Sequence, residues 1–149
     1  MTIIRKARRT DAQSIIAFNQ AMALETEQRE LAHDVISRGV ETLIEQPHRG
    51  FYLVAQHDQK IVGSLMVTFE WSDWQAKDYW WIQSVYILPD YRRQGIYRQL
   101  YQQVKSLADG QAASFRLYVE RDNLNAQATY QALQMAPCQY LMYEQKEES

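Results

Sequence analysis

The sequence predicts a single α/β domain in which a mixed β-sheet is covered by helices on both faces. Three observations support this prediction. The length of 149 residues is that of one domain. Apolar residues occur in strand-like runs and at helical spacing along the chain. A strand-like run, an amphipathic helix and a further strand-like run follow one another directly, which implies local parallel pairing. The expected element order is β-α-α-β-β-β-α-β-α-β.

The first part of the chain is predicted to contain one short strand and two helices. Residues 3–7 favour a strand, and Thr10 with Gln13 three positions later forms a capping-box pattern that starts a helix. Apolar residues at helical spacing from about Leu31 indicate a second helix, which Pro47 ends. Both helices therefore precede the main part of the sheet.

The middle of the chain is predicted to form the centre of the sheet. Residues 51–56 and 60–69 favour two strands joined by a polar turn, which is typical of a hairpin. Residues 79–88 are rich in aromatic and β-branched side chains and predict a long buried strand. An amphipathic helix is expected to start near Gly95 and to end at the Asp-Gly pair of residues 109–110.

The last part of the chain is predicted to add a strand, a helix and a closing strand. Apolar and polar residues alternate over 115–119, which indicates a half-buried strand. A helix is expected over 123–133 and a last strand over 138–143. The polar tail, residues 144–149, is expected to be frayed. No repeat or linker divides the chain, so we expect one domain over residues 1–149.

Charge, cysteine content and hydropathy narrow the classes of partner. A net charge of −2 argues against a broad electrostatic surface for nucleic acid. The single cysteine leaves no intrachain disulfide and no cysteine-based zinc site, and we predict no metal. No apolar run reaches the roughly 18 residues that a membrane helix needs, and the N-terminus has no signal-peptide pattern. We therefore expect a cytoplasmic protein without a membrane or nucleic-acid partner.

Residues 89–97, with the sequence PDYRRQGIY, are the most informative stretch because a strand leads into them and a helix leads out. The first amides of a helix lack partners and carry partial positive charge, which stabilises anionic phosphate oxygens. Gly95 lets a ligand approach the backbone closely, and Arg92 and Arg93 add two cations. The stretch predicts a site for a small phosphate ligand. The alternative is an ordinary strand-to-helix connection with solvated arginines.

A second motif begins at Asn123, directly after a predicted strand. Tyr130 follows seven residues later, two helical turns along roughly the same side. The helix could therefore present an amide and a phenol to one ligand. The alternative is that Tyr130 packs in the core with its hydroxyl bonded there.

Together the two motifs resemble those of the GCN5-related N-acetyltransferase (GNAT) superfamily. Its acetyl-coenzyme A (CoA) signature is Gln or Arg followed by x-x-Gly-x-Gly or Ala, and a later pattern is Asn-x-x-Ala-x-x-x-Tyr. The matching positions are Arg92, Gly95 and Tyr97 in the first motif and Asn123, Ala126 and Tyr130 in the second. Two departures occur, since Tyr97 replaces a small residue and Gln134-Met135 replace a Gly-Phe pair. The element order agrees as well, so the resemblance extends over nearly the whole chain.

The resemblance implies that acetyl-CoA is the cosubstrate. Its diphosphate would bind the backbone amides of residues 92–97, and its pantetheine arm would follow the strand ending at Ile87, where the next parallel strand diverges. Asn123 would bind the arm, and Tyr130 would donate a proton to the leaving thiolate. A backbone amide near Val85 would stabilise the oxyanion. The residues expected to bind the cofactor are Val85, Tyr86, Ile87, Arg92, Arg93, Gln94, Gly95, Ile96, Tyr97, Asn123 and Ala126.

The general base is not fixed by the sequence. Many relatives carry a glutamate on the central strand, where this chain has Gln83, which cannot accept a proton. The candidates are Glu70, which is next to a tryptophan, and Glu25 and Glu27, which are expected in the segment after the first helix. Desolvation next to an indole raises a carboxyl pKa, which suits a base. The alternative for each is an ordinary surface carboxylate.

Tryptophans interleaved with carboxylates indicate an amine-binding region, because indole faces and negative charges both attract ammonium. The residues expected to bind the acceptor are Trp71, Asp73, Trp74 and Gln83. We expect at least one of Trp71 and Trp74 to line the site and at least one of Trp80 and Trp81 to face the core. The alternative is that the loop tryptophans cover a homodimer surface.

These observations favour an N-acetyltransferase that moves an acetyl group from acetyl-CoA to a primary amine of a small molecule by direct attack on the thioester. One alternative is transfer to a lysine or N-terminal amine of a protein. Another, of a different class, is a non-catalytic acyl-CoA sensor or partner-binding subunit, which the absence of a glutamate at Gln83 makes conceivable. A homodimer is compatible with the exposed aromatic residues.

Overall fold

The computed structural model describes residues 1–147, and residues 148 and 149 of the predicted frayed tail lie outside them. By its contacts the chain divides into a unit from Met1 to Tyr118 and a unit from Val119 onward. The helices and strands are β1 Thr2–Lys6, α1 Ala12–Glu27, α2 His33–Glu45, β2 Gly50–His57, β3 Lys60–Ser72, β4 Lys77–Ile87, α3 Ile96–Ala108, β5 Ala112–Leu117 and α4 Leu124–Ala132.

The five strands form one mixed sheet in the order β1-β2-β3-β4-β5. The first four strands pair antiparallel, whereas β4 and β5 are parallel. The parallel pair is connected through α3, as expected for a strand, helix and strand in succession. The mixed α/β fold predicted from the sequence is therefore confirmed.

The hairpin between β2 and β3 turns through Asp58 and Gln59, which both have left-handed backbone with φ of 48° and 69°. Two consecutive residues with positive φ are the feature of a type I′ turn, whose twist matches that of the flanking strands. The predicted hairpin is confirmed at this position. Strand β3 continues past its predicted end to Ser72, and β4 begins before its predicted start, at Lys77.

Helices cover both faces of the sheet in the first unit. Buried side chains of α1 and α2, including Ile15, Ile16 and Val40, pack with Tyr52 and Val54 of β2. Neighbouring residues of a strand point to opposite faces, so Leu53 and Ala55 face the other side, where they are fully buried. An aromatic group covers that second face and reaches α3. Its contacts join Phe51, Phe69, Trp80 and Phe115 of the sheet to Tyr101 of α3.

The start of α1 differs from the predicted capping box of Thr10 and Gln13. A 3-10 turn, Arg9–Asp11, precedes the helix, and the Asp11 carboxylate accepts a hydrogen bond of 2.7 Å from the Arg8 backbone N–H. The same carboxylate accepts two hydrogen bonds from the Arg5 guanidinium, of 2.7 and 3.0 Å. Hydrogen bonds to an ionised carboxylate are stronger than those to a neutral hydroxyl, so Asp11 holds the chain at the start of α1 more firmly than Thr10 would. The predicted capping box was therefore wrong: the contact joins Arg8 to Asp11 instead of Thr10 to Gln13, and the N-cap of α1 is Asp11.

The second unit contains α4, and its N-cap is Asn123, whose Oδ1 accepts a hydrogen bond of 3.1 Å from the Ala126 N–H. The predicted helix over 123–133 is confirmed within one residue at each end. The predicted strand over 138–143 was wrong, because the described residues there are in no strand and the whole segment is exposed. A short apolar run lacks the alternation that identifies a strand, and a strand also needs a partner for its backbone. Residues 144–147 are exposed and in no helix or strand.

Candidate functional site

One edge of β4 is open over its last five residues. Within the first unit, β4 pairs with β5 from Asp78 to Ile82, and the last pair is Ile82 with Leu117. Residues 83–87 continue beside β3 on the other edge. Backbone amide and carbonyl groups on the open edge are therefore free of sheet partners within the described part of this unit. Such an edge can bind an extended ligand through main-chain hydrogen bonds.

A β-bulge lies at the start of this open edge. Met66 pairs with Gln83 and Ser64 pairs with Tyr86, so Ser84 and Val85 together face the single residue Leu65. Ser84 has a left-handed backbone, with φ of 53°. A bulge disrupts the ladder and turns local backbone groups away from their usual direction. The amide region around Val85, predicted to stabilise an oxyanion, therefore coincides with a bulge.

The N-terminus of α3 follows the open edge after a short 3-10 turn, Pro89–Tyr91. Gly95 is the N-cap, with φ of 79°, and within the described residues no side chain caps the helix. The first intrahelical bond runs from the Gln99 N–H to the Gly95 carbonyl, at 3.1 Å. The earlier amides of the first turn have no intrahelical acceptor, so they can bind an anion.

The space in front of Gly95 is open. A Cβ built on Gly95 would meet no heavy atom within 4 Å. Because the residue is exposed and left-handed, glycine is the residue that suits this position with least strain. The helix predicted to start near Gly95 is confirmed, and its first turn is accessible from outside.

Arg92 is joined to groups of the protein. Its Nε donates to the Ile87 carbonyl at 2.8 Å, and its terminal nitrogen donates to Glu25 Oε1 at 3.0 Å. The guanidinium also lies 5.3 Å from the centre of the Tyr86 ring. Tyr86 in turn donates its hydroxyl hydrogen to Glu25 Oε2. Sequence reasoning did not predict this group, because Glu25 and Arg92 are far apart in the chain and no local pattern links them.

These contacts shift two pKa values in opposite directions. The hydrogen bonds from Tyr86 and Arg92 hold the pKa of the Glu25 carboxyl below its usual value. Burial, together with the hydrogen bond to Glu25, raises the pKa of the Tyr86 hydroxyl. Glu25 is therefore a stable anion, which makes it a weaker proton acceptor than an ordinary glutamate.

The remaining loop residues differ in what they can offer a ligand. The Gln94 side chain donates to the Asp90 carbonyl at 3.1 Å, while Arg93 is exposed with φ of 62°. Ile96 is buried, so only its backbone can face outward. The Tyr97 ring stacks on Tyr101 one turn later, with 6.3 Å between the ring centres. The large side chain at the position where the GNAT signature has a small residue thus lies along α3.

A second group of side chains lies on the sheet face that carries Gln83. Trp81 Nε1 donates to Glu70 Oε1 at 2.7 Å, and Arg116 lies 3.6 Å from the same oxygen. The Arg116 guanidinium is 3.5 Å from the centre of the Tyr79 ring, and Trp81 stacks on Tyr118 at 4.6 Å. Sequence reasoning did not place Arg116 and Tyr118 at the site. The available signal was that these two residues alternate with apolar residues over 115–119, which places both on one face of the chain.

The tryptophans divide between core and surface. Trp80 packs against Phe51, Phe69 and Phe115, whereas Trp81 lies on the opposite face. The expectation that at least one of this pair faces the core is confirmed. Trp71 is 63 % exposed and Trp74 is 95 % exposed in the hairpin between β3 and β4.

The other candidate acceptor and base residues also lie in the first unit. Asp73 is exposed in the same turn as Trp74, and Glu27 is exposed at the last position of α1. Gln83 is half-buried, and its Nε2 donates to Thr68 Oγ1 at 3.5 Å.

In the second unit, Tyr130 lies on α4 and is half-buried. Burial raises the pKa of its hydroxyl, so the phenol keeps its proton at neutral pH. Asn123 uses Oδ1 as the cap of α4, and its side-chain NH₂ remains chemically able to donate.

Residues 1–147 contain neither a metal-binding cluster nor a membrane-spanning helix. No group of three or more His, Cys, Asp or Glu side chains is placed to hold a metal ion. No helix combines the length and hydropathy needed to cross a membrane.

The chain matches the family model of the Acetyltransferase (GNAT) family over residues 12–134. A comparison with curated proteins found no match. Among solved structures, a possible acetyltransferase from Clostridium difficile 630 is 42 % identical, with a TM-score of 0.93, and the match covers 100 % of this chain and 99 % of that one.

More distant solved structures share the fold. A ribosomal-protein-alanine N-acetyltransferase from Brucella melitensis biovar Abortus 2308 is 16 % identical, with a TM-score of 0.79 over 99 % of this chain and 100 % of that one. AAC(6')-Iy, in complex with the bisubstrate analogue CoA-S-monomethyl-acetylneamine, is 15 % identical with a TM-score of 0.78, and the match covers 99 % of each chain.

Proposed function

The chain belongs to the GNAT acetyltransferase family, and from that premise we propose that it transfers the acetyl group of acetyl-CoA to a primary amine of a small molecule. One observation carries the proposal. The open edge of β4 is followed, after the short 3-10 turn, by the uncapped N-terminus of α3. An extended molecule with amide groups along its length and a diphosphate further on is complementary to this arrangement.

The backbone of the loop is the principal diphosphate site in this proposal. The amides of the first turn of α3 would donate to phosphate oxygens, and Gly95 would permit close approach. Arg93 would contribute a mobile cation from the solvent side. The pantetheine arm would hydrogen-bond along residues 83–87. From the GNAT motif alone, Asn123 is kept as a proposed cofactor-binding residue.

The chemistry is a direct attack of the neutral amine on the thioester carbonyl. The amine forms a bond to the acetyl carbon and loses a proton to the general base, the carbonyl oxygen becomes an oxyanion near the Val85 amide, and the carbon–sulfur bond breaks as the carbonyl re-forms. Tyr130 donates its proton to the departing thiolate, and its raised pKa keeps that proton available. Alignment of the amine with the thioester supplies most of the reduction of the activation barrier, roughly 7 to 11 kcal/mol.

Among the three candidate bases we propose Glu70. Trp81 donates to its Oε1, and Arg116 lies nearest to the same oxygen. Glu25 is committed to Tyr86 and Arg92 through both of its oxygens. Glu27 is exposed at the end of α1 and is not oriented by a described partner. Glu70 is therefore the candidate that a neighbouring strand orients and that is not committed through both oxygens to Tyr86 and Arg92, as Glu25 is.

The acceptor is proposed to enter beside the hairpin that carries Trp71, Asp73 and Trp74. Exposed indoles and a carboxylate attract an ammonium group before it loses its proton. The same surface is compatible with the terminal amine of a protein, which is the second candidate. The names of AAC(6')-Iy and of the Brucella enzyme refer to acceptors of the two different classes. Both enzymes are only 15 % and 16 % identical to this chain, so the likeness supports the fold alone.

The test is calorimetry with acetyl-CoA followed by thiol release with a panel of amines and peptides. The expected result is cofactor binding together with amine-dependent release of free CoA. Turnover with small amines and none with peptides supports the first candidate, and the reverse supports the second. Binding without transfer to any amine would instead indicate a non-catalytic acyl-CoA sensor. Absence of binding would refute the proposal.

A further inference from the structure

Arg92 connects the loop to two other parts of the first unit, the end of β4 and α1. Its side chain contacts the end of β4 through the Ile87 carbonyl, the C-terminal part of α1 through Glu25, and the ring of Tyr86. Its backbone N–H donates to the Pro89 carbonyl at 3.3 Å. Arg92 is thus bonded on both its main chain and its side chain at the position where the loop begins.

The contact with Ile87 uses a carbonyl of the open edge. The Leu88 N–H donates to the Val62 carbonyl of β3 at 2.9 Å. Backbone groups of neighbouring residues alternate between the two edges of a strand, so the Ile87 carbonyl is directed to the edge away from β3. Arg92 therefore satisfies the last acceptor of that edge and marks its end.

Glu25 is held in place from two sides. Tyr86 donates to one carboxylate oxygen and Arg92 to the other. The Tyr86 ring is itself buried and packs against Phe18 of α1, with 5.5 Å between the ring centres. A hydrogen bond to an ionised group is stronger than one between neutral groups. The side chain of Arg92 consequently has one preferred position, although it is 44 % exposed.

We propose that Glu25 and Tyr86 hold Arg92 as a positioning residue that sets the conformation of the loop from Arg92 to Gly95. The effect of Arg92 on the loop conformation does not depend on the proposed function. Its expected consequence, tighter binding of CoA by the prearranged loop, rests on that function. The guanidinium of Arg92 is occupied by the protein, so its contribution to the diphosphate is indirect. Arg93 and the backbone amides make the direct contacts.

The test combines two measurements on Tyr86→Phe, Glu25→Gln and Arg92→Lys. Hydrogen exchange of the peptide covering residues 88–95 reports the loop in the protein without ligand. Steady-state kinetics and calorimetry report the KM and Kd for CoA substrates separately from kcat. Tyr52→Phe, a buried tyrosine in the core with α1 and α2, and Glu30→Gln, an exposed acid after α1, are the matched controls.

The expected result is faster exchange of the loop in all three variants and a KM for acetyl-CoA raised by about 2- to 10-fold, with kcat and the KM for the amine little changed. Arg92→Lys should show the effect although it keeps the positive charge. An ammonium cannot donate to Ile87 and Glu25 with the planar geometry of a guanidinium. Both controls should behave as the wild type.

Exchange and KM equal to those of the wild type in all three variants would overturn the inference, while wild-type binding of CoA would leave the proposed function intact. If the wild type fails to bind CoA, the proposed function fails. The exchange measurement then still decides whether Glu25 and Tyr86 set the loop. An equal effect in the Tyr52→Phe control would also overturn the inference, since it would indicate a general loss of packing.

Discussion

Glu70 accepts a hydrogen bond of 2.7 Å from the indole nitrogen of Trp81, so a neighbouring strand orients its carboxylate. If Glu70 is the base, Glu70→Gln should lower kcat by about 100-fold and leave the KM for acetyl-CoA unchanged. Steady-state kinetics with the best amine measure both quantities. Glu27→Gln, at an exposed position, should keep nearly wild-type kcat. Unchanged kcat in Glu70→Gln would transfer the role to another group.

Tyr130→Phe removes the proposed proton donor without changing the shape of the ring. We expect kcat to fall by about 100-fold while the Kd for acetyl-CoA from calorimetry stays the same. Because burial raises the pKa of the phenol, its ionisation should cause no loss of activity below about pH 10. Tyr143→Phe, at a fully exposed position, is the control. A variant as fast as the wild type would exclude Tyr130 as the acid.

Gly95→Ala and Gly110→Ala form a matched pair at the two ends of α3. Both glycines have left-handed backbone, with φ of 79° and 77°, and a Cβ at either meets no heavy atom within 4 Å. Each substitution should cost about 1 to 2 kcal/mol of unfolding free energy. Only Gly95→Ala should weaken CoA binding, by about tenfold, because the loop conformation that binds becomes less populated. Equal CoA affinity in both variants would contradict the placement of the diphosphate.

Asp11 joins β1 to the start of α1 through Arg5 and the Arg8 backbone. Burial favours the neutral acid, but the hydrogen bonds outweigh it and hold the pKa of Asp11 below its usual value. Asp11→Asn should therefore lower the unfolding free energy by about 2 to 3 kcal/mol in urea unfolding at pH 7. The exposed Asp58→Asn should change it by less than about 0.5 kcal/mol.

The contribution of Asp11 should depend on pH with a defined sign. A carboxyl with a depressed pKa in the folded state stabilises the protein fully above its unfolded pKa, near 4, and loses that contribution as pH falls through the folded value. The difference in unfolding free energy between the wild type and Asp11→Asn should therefore be constant from pH 7 to about pH 5 and decrease below pH 4. A difference that stayed constant as the pH fell below 4 would contradict this account.

Local patterns predicted much of the fold and the loop. The start of α3 at Gly95 and its end at Asp109 follow from glycine, spacing and capping residues near each other in the chain. The contact of Glu25 with Arg92 could not be predicted, because it depends on how α1 lies against β4. The false strand over 138–143 has a similar cause, since pairing partners and not composition decide whether an apolar run becomes a strand.

The bulge in β4 makes this part of the gene sensitive to deletions. Gln83 and Tyr86 share one face only because Ser84 and Val85 together occupy the place opposite Leu65. Loss of a single codon there would restore a regular ladder with Tyr86 still opposite Ser64, and would remove the bulge that turns the backbone near Val85 away from its usual direction. Homologues should therefore keep the number of residues constant between these positions while the identity of residue 84 drifts toward Asn or Gly, which adopt its backbone conformation readily.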